Sequence, residues 1–146
     1  MHLSLFSDYA LRTLMYLAAQ EDRQCTLREV AEAYGISLEH LRKVVHRLSV
    51  SGYIESRRGR AGGIRLGKPA EKIRIGRVVR LMEGESEIID CEGQECVLAP
   101  RCSLRLRLRR ATDAFYAQLD ESTLADIVGA SGMQSRLVRI RPAQTD

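Results

Sequence analysis

Two helix starts and one helix stop fall between Thr26 and Ser37, and together they leave the chain few arrangements. Thr26 followed three residues later by Glu29 is the pattern in which a hydroxyl caps a new helix and an acid reaches back to the cap. The helix it opens places Val30 and Ala33 inward and stops at Gly35. Ser37 then caps a second helix, in which Leu41, Val44, Val45 and Leu48 recur at spacings of three and four. His40, Arg42, Lys43, His46 and Arg47 fall mainly on its other faces. Two short helices across a tight glycine turn make a helix-turn-helix, whose second helix fits a DNA major groove. After Gly52 the chain predicts two brief strands, around Tyr53-Ile54 and Ile64-Leu66, joined by a basic turn with Gly59, Gly62 and Gly63. Such a hairpin is a wing.

Ser7 is placed to cap a first helix whose broad apolar face holds Tyr9, Leu11, Leu14 and Met15 and whose end falls near Glu21. Pro69 marks a boundary, and Ile75 to Met82 reads as a short helix with Ile75, Val78, Val79 and Met82 facing inward. Beyond Pro100, Leu104, Leu108, Ala111, Phe115 and Leu119 describe a helix of roughly five turns. A winged domain this small does not bury such a stripe by itself, so a second copy of the chain is its expected cover. Ser122 opens a short element through Leu124, Ile127 and Val128, and the tail from Ser131 is expected to be mobile, with Leu137, Val138 and Ile140 available to dock. At 146 residues there is room for one domain and no separate catalytic one. The expected fold is mainly α with a small β wing: a winged helix-turn-helix with a long C-terminal dimerisation helix. Residues 1–80 are the DNA-binding region, 81–103 a cysteine-bearing loop, 104–130 the dimerisation region and 131–146 the tail.

The formal net charge is only +4, but it hides a segregation of sign. From His40 to Arg80 there are twelve Lys or Arg against two acids, whereas Glu83 to Glu95 carries six acids and no base. The basic third supplies the candidate DNA contacts. Ser37, His40, Arg42, Lys43 and Arg47 belong to the second helix, and Thr26 opens the helix before it. Arg57, Arg58, Arg60 and Arg65 would approach from the wing, where Gly62 and Gly63 let the backbone come close to phosphate. Against this stands the bland reading, in which any one of these arginines is ordinary solvated surface. The glycine-rich turn lacks the spacing of a nucleotide-binding loop. No apolar run approaches the length needed to span a bilayer, and the amino terminus has no basic stretch feeding an apolar core. The expectation is a cytoplasmic regulator with no membrane partner and no enzymatic activity.

Cys91, Cys96 and Cys102 form a second constellation, Cys-x4-Cys-x5-Cys, within a segment of no regular period. Three thiolates so spaced can converge on zinc or on an iron–sulfur cluster, and the absence of a CxxC pair modestly favours the cluster. A fourth ligand is missing locally, since the three histidines are His2, His40 and His46; acids are abundant, and Asp8 is a distant alternative. The bland alternative is three ordinary thiols in a loop. Cys25 reads as a small buried residue at a helix entry.

The separated motifs Leu3-Ser4-x-Phe6-x-Asp8-Tyr9-Ala10-Leu11-Arg12, Tyr34-Gly35-Ile36-Ser37, Arg58-Gly59-Arg60-x-Gly62-Gly63-Ile64-Arg65-Leu66 and Ile73-x-Ile75-Gly76, with the three-cysteine loop, carry a resemblance over about residues 1 to 129. The chain resembles the NsrR family of nitric-oxide-sensing iron–sulfur repressors. That resemblance implies a homodimer on an inverted-repeat operator in double-stranded DNA, controlling genes of nitrosative-stress defence. It implies a [4Fe-4S] cluster held by Cys91, Cys96 and Cys102, with Asp8 supplied across the dimer, and release of the operator when nitric oxide nitrosylates the cluster. The related branch that governs cluster assembly has a His three residues after the third Cys, where this chain has Arg105. A branch with a [2Fe-2S] cluster uses a Glu and a His near the first helix, where this chain has Asp8 and Arg12. Outside the resemblance, a zinc-stabilised DNA regulator, a DNA-independent dimeric adaptor and an electron-transfer enzyme are the competing readings. No second cofactor motif or acid/base pair accompanies the last.

Overall fold

Side-chain caps mark where four of the helices begin. In a computed structural model, which describes residues 2–140 except 21–22, 58, 60–61, 85–87, 92, 94–95, 99–100 and 131, helix α1 (Leu5–Ala19) is capped by Ser4, whose Oγ accepts from the Ser7 amide at 3.2 Å. Ser7, the expected cap, lies one turn inside the helix, buried, and its hydroxyl donates to Glu83. Glu83 also accepts from the Ser4 amide and hydroxyl at 2.8 Å each. A carboxylate from a distant helix therefore decides which serine is the cap, and no local pattern carries that information.

Helix α2 (Leu27–Tyr34) starts as expected, with Thr26 Oγ1 accepting from the Glu29 amide at 3.1 Å. Its acid does not reach back. The Glu29 carboxylate instead accepts from the hydroxyl of fully buried Tyr16 at 2.8 Å and from the Arg23 guanidinium. Gly35 is left-handed with φ of 63°, the Ile36 amide returns to the Ala31 carbonyl at 2.9 Å, and Ser37 caps helix α3 (Leu38–Val50). The helix-turn-helix follows from these contacts, and Leu41, Val44, Val45 and Leu48 are all buried.

Strands β1 (Ile54–Arg57) and β2 (Gly63–Leu66) pair antiparallel with Ile54 opposite Leu66 and Glu55 opposite Arg65. Cys25 adds a bridge to Ile64, its amide donating to the Ile64 carbonyl at 2.9 Å and its carbonyl accepting at 2.7 Å. A Cβ on Gly63 would lie 2.8 Å from the Cys25 carbonyl oxygen. Gly63 thus serves packing of the wing against the domain, a local reason for a glycine that the sequence reading assigned to phosphate approach.

Helix α4 (Ile75–Glu83) buries Ile75, Val78, Val79 and Met82, as its spacing predicts. It has no side-chain cap from its own leading residue; Asp120 of helix α5 (Ser103–Asp120) accepts from the Arg77 amide at 2.8 Å instead. Helix α6 (Leu124–Gly129) begins one residue later than expected, with a reciprocal box between Thr123 and Asp126 rather than a cap at Ser122. The Ser122 carbonyl is used by the Ile75 amide at 3.1 Å. Residues 133–139, expected to lie in a mobile tail, form helix α7 (Met133–Arg139), with Leu137 buried, Ile140 partly buried against the core and Val138 exposed. Helix α1 sits at the centre, packed by α3, α4, α6 and α7. In α5 only Tyr116 is buried; Leu104 and Leu106 are more than half exposed, while Phe115 and Leu119 reach the core.

The Glu29 network makes a testable contribution to stability. Burial alone would raise the Glu29 pKa, but hydrogen bonds from Arg23 and Tyr16 outweigh it and hold the carboxyl below its ordinary value. A depressed carboxylate stabilises the fold above its unfolded pKa and loses that contribution as pH falls through the folded one. Glu29→Gln is therefore expected to cost about 2 kcal/mol near neutral pH, the usual worth of hydrogen bonds to a charged group. In chemical denaturation the difference from wild type should shrink as pH is lowered below about 4; a difference that stays constant down to acid pH rejects the ionic account.

Candidate functional site

The exposed side of α3 carries Glu39, His40, Arg42, Lys43, His46 and Arg47, opposite the buried stripe. Ser37 and Thr26, at the amino ends of the two helices, are exposed with their hydroxyls already accepting helix amides. Lys43 pairs with Glu39 one turn earlier at 3.5 Å, with both side chains largely in water, a weak contact that a polyanion displaces at little cost. Arg42 has no carboxylate partner among the described residues. Arg47 is different: its Nε and Nη2 donate to the Leu81 carbonyl at 3.1 and 2.9 Å. It caps the last turn of α4 from the side, which ties one edge of its guanidinium to that helix.

On the wing, Arg57 is exposed at the end of β1. Arg65 pairs with Glu55 across the strands, Nη2 to Oε2 at 2.8 Å, which neutralises part of the charge assigned to DNA. Arg58 and Arg60 lie outside the described residues. Gly62 is described, half-buried just before β2. The sequence reading omitted Arg28, which is exposed in the first turn of α2. A cation in a first turn opposes the helix dipole, and that local cost is the signal available for finding it. Arg28 widens the basic face on the side of Thr26.

Cys91, Cys96 and Cys102 are half-buried along the segment between α4 and α5, and none of the four cysteines is in a disulfide. Cys102 directly precedes the first residue of α5. Cys25 is fully buried, as its sequence position suggests. Among the described residues, no three His, Cys, Asp or Glu side chains are grouped closely enough to hold a metal ion. Asp8 is engaged within α1, accepting from Arg12 Nε at 2.8 Å, while the Arg12 guanidinium lies 5.8 Å from the Tyr34 ring centre. The donor chemistry of three thiols in an irregular segment suits iron and sulfide. A single protomer does not bring the set together with Asp8.

Beside α5, Leu3, Leu11, Ile75, Val79, Phe115 and Leu119 line an apolar cleft of about 200 Å³. Together with Leu104 and Leu106 it leaves apolar surface that no described residue covers. No helix among the described residues is long and apolar enough to cross a membrane.

Residues 3–130 match the Rrf2 family model, described as an iron-dependent transcriptional regulator. Solved structures add the same signal. The global cysteine regulator CymR (YrzC) of B. subtilis is 26% identical with a TM-score of 0.73, over 90% of this chain and 98% of that one. Oxidized Staphylococcus aureus CymR is 34% identical with a TM-score of 0.68, over 87% of this chain and 95% of that one. IscR of T. potens, 23% identical with a TM-score of 0.69 over 88% and 87% of the two chains, shares the fold.

Proposed function

Because the chain belongs to the Rrf2 family of DNA-binding transcriptional regulators, which act as dimers, we propose that it is a repressor whose hold on an inverted-repeat operator is released by nitric oxide. The observation that carries this reading is the trio Cys91, Cys96 and Cys102 in the segment that joins α4, packed on the DNA-binding unit, to α5. In this proposal those thiolates hold a [4Fe-4S] cluster, and Asp8 of the partner subunit supplies an oxygen ligand. When bound, the cluster supplies iron that reacts with nitric oxide, and a carboxylate-held iron is the weaker-bound entry point. The chain's own residues do the rest. Ser37, His40, Arg42 and Lys43 face the major groove, with Thr26 and Arg28 beside them and Arg57 on the wing. The uncovered leucines of α5 pack on a second copy, which sets the spacing of the two α3 helices. Glu83 ties the start of the cysteine segment to Ser4 and Ser7, one turn from Asp8, so a change in that segment is felt at α1.

A second reading has its own support: the similarity to CymR of B. subtilis, called a global cysteine regulator, and the absence of a gathered ligand set among the described residues. In that reading the protein governs cysteine-related genes without a cluster. One experiment separates the two. The protein is purified without oxygen and titrated with nitric oxide while absorption and operator binding are followed on the same samples. Visible absorption that changes in step with loss of operator binding is the expected result. A protein that stays colourless after anaerobic reconstitution with iron and sulfide, and binds its operator regardless of nitric oxide, rejects the sensor and leaves the cysteine-linked regulator.

A further inference from the structure

We propose that the cleft between the carboxyl end of α3 and the outer side of α4 is a binding site for a small anion bearing a phosphate or carboxylate group. Arg47, Arg77 and Arg80 line it together with Ser51, Tyr53 and Leu81, around a volume of about 480 Å³. Two of the three guanidiniums are already held in place. Arg47 is fixed by its two bonds to the Leu81 carbonyl, and Arg80 lies 4.1 Å from the centre of the Tyr116 ring. Lys68, whose Nζ is 4.1 Å from the centre of the Tyr53 ring, adds a further cation against one wall of the cleft.

Among the described residues these charges are not paired off. No salt bridge among the described residues involves Arg47, Arg77 or Arg80; the Asp120 carboxylate, which accepts from the Arg77 amide, offsets one of the three charges and leaves the group net positive. Cations gathered in a concave site with low-dielectric walls focus a positive potential, which an anion relieves. A guanidinium offers planar forks that match phosphate and carboxylate; Arg47 spends its Nε/Nη2 edge on Leu81 and keeps Nη1 for an anion, and a group already immobilised loses less entropy on binding. Tyr53 and the Leu81 side chain give the cleft an apolar wall for the body of a small molecule.

Position distinguishes this cleft from the DNA face. A helix-turn-helix reads bases with the amino end of its second helix. Arg47 stands ten residues beyond Ser37, about 15 Å along the helix from that end, on the flank turned to α4. The same cleft reaches Gly84, where α4 ends and the cysteine segment begins. An occupant would touch the reading helix and the root of that segment at once, which makes its binding and DNA binding reciprocal neighbours. The proposal does not depend on a cluster.

The test uses the full chain labelled with ¹⁵N and follows the arginine Nε–Hε signals during titration with inorganic phosphate, with ionic strength held constant by chloride. The expected result is one saturable curve shared by Arg47, Arg77 and Arg80, while Arg109 and Arg110, exposed on α5, follow the chloride control. Arg77→Gln, in a side chain that makes no hydrogen bond to another described residue, should weaken binding by about tenfold or more. Shifts that do not saturate, that spread equally to Arg109 and Arg110, or that survive Arg77→Gln unchanged overturn the proposal. So does a DNA duplex that moves the same three signals and competes with phosphate at fixed ionic strength, since the cleft is then a contact for the DNA backbone.

Discussion

Gly76→Ala is expected to destabilise the fold by about 3 kcal/mol and to lower the melting temperature by about 10 °C. A Cβ at this position would lie 2.4 Å from the Tyr116 carbonyl oxygen and 2.7 Å from the Asp120 carboxyl carbon. Neither neighbour can yield cheaply. The carbonyl belongs to the backbone of α5, and Asp120 is the group that caps α4 through the Arg77 amide. Relief therefore requires α4 and α5 to separate, which costs packing and also the cap, itself worth about 1 kcal/mol. Gly129, the last residue of α6, is the matched control: a Cβ there meets nothing within 4 Å. Gly129→Ala should leave stability unchanged or raise it by up to about 1 kcal/mol, from helix propensity alone. Differential scanning calorimetry on both variants decides the point, and a Gly76→Ala protein that melts with wild type would mean that α4 and α5 do not meet as described. Because α4 and α5 flank the cysteine segment, the same variant should also disturb whatever that segment holds.

The elements that were legible in the sequence are those whose determinants sit within one turn of each other. Thr26, Gly35 and Ser37 act on their own helix ends, and the Leu41 to Leu48 spacing is read from a single helix, so the helix-turn-helix and its buried side emerge without tertiary information. Glu83 was not legible in the same way, because its choice of Ser4 and Ser7 spans more than seventy residues. The pairing of Arg47 with Leu81 is likewise remote, so no neighbour in the sequence announces it. Arg65 is an instructive middle case. Once the hairpin is accepted, its register sets Glu55 opposite Arg65, so this neutralisation follows from strand pairing rather than from composition. Glycines mislead for a similar reason. Gly63 reads as backbone freedom, yet it is required because the Cys25 carbonyl occupies the space of its side chain, just as the Tyr116 carbonyl does at Gly76. The cysteine spacing names three donors of one chemistry, but among the described residues they are not gathered, and contacts between distant segments are not encoded in spacing.

That limit gives the last prediction its form. If Cys91, Cys96 and Cys102 act as ligands, Cys96→Ser should remove a thiolate bonded to iron, weaken metal binding by more than the roughly 10–100-fold lost with a residue that only hydrogen-bonds a ligand, and so lower iron and sulfide content. Visible absorption should disappear with the iron, and nitric oxide should cease to change operator binding. The affinity of this variant for the operator should match that of nitric-oxide-treated wild type, a fall of about 5–150-fold if the coupling is of ordinary size. Asp8→Ala should be milder, retaining part of the iron, because a carboxylate is a weaker ligand for iron–sulfur chemistry than a thiolate. Cys25→Ala supplies the contrast, since this residue is fully buried beside the wing and belongs to the core. It should lose some stability and keep both metal and response. Metal and sulfide analysis on anaerobic samples separates the alternatives: zinc at one equivalent without sulfide replaces the cluster by a structural ion, and Cys96→Ser with wild-type iron, absorption and nitric oxide response removes the cysteine segment from the sensing site altogether.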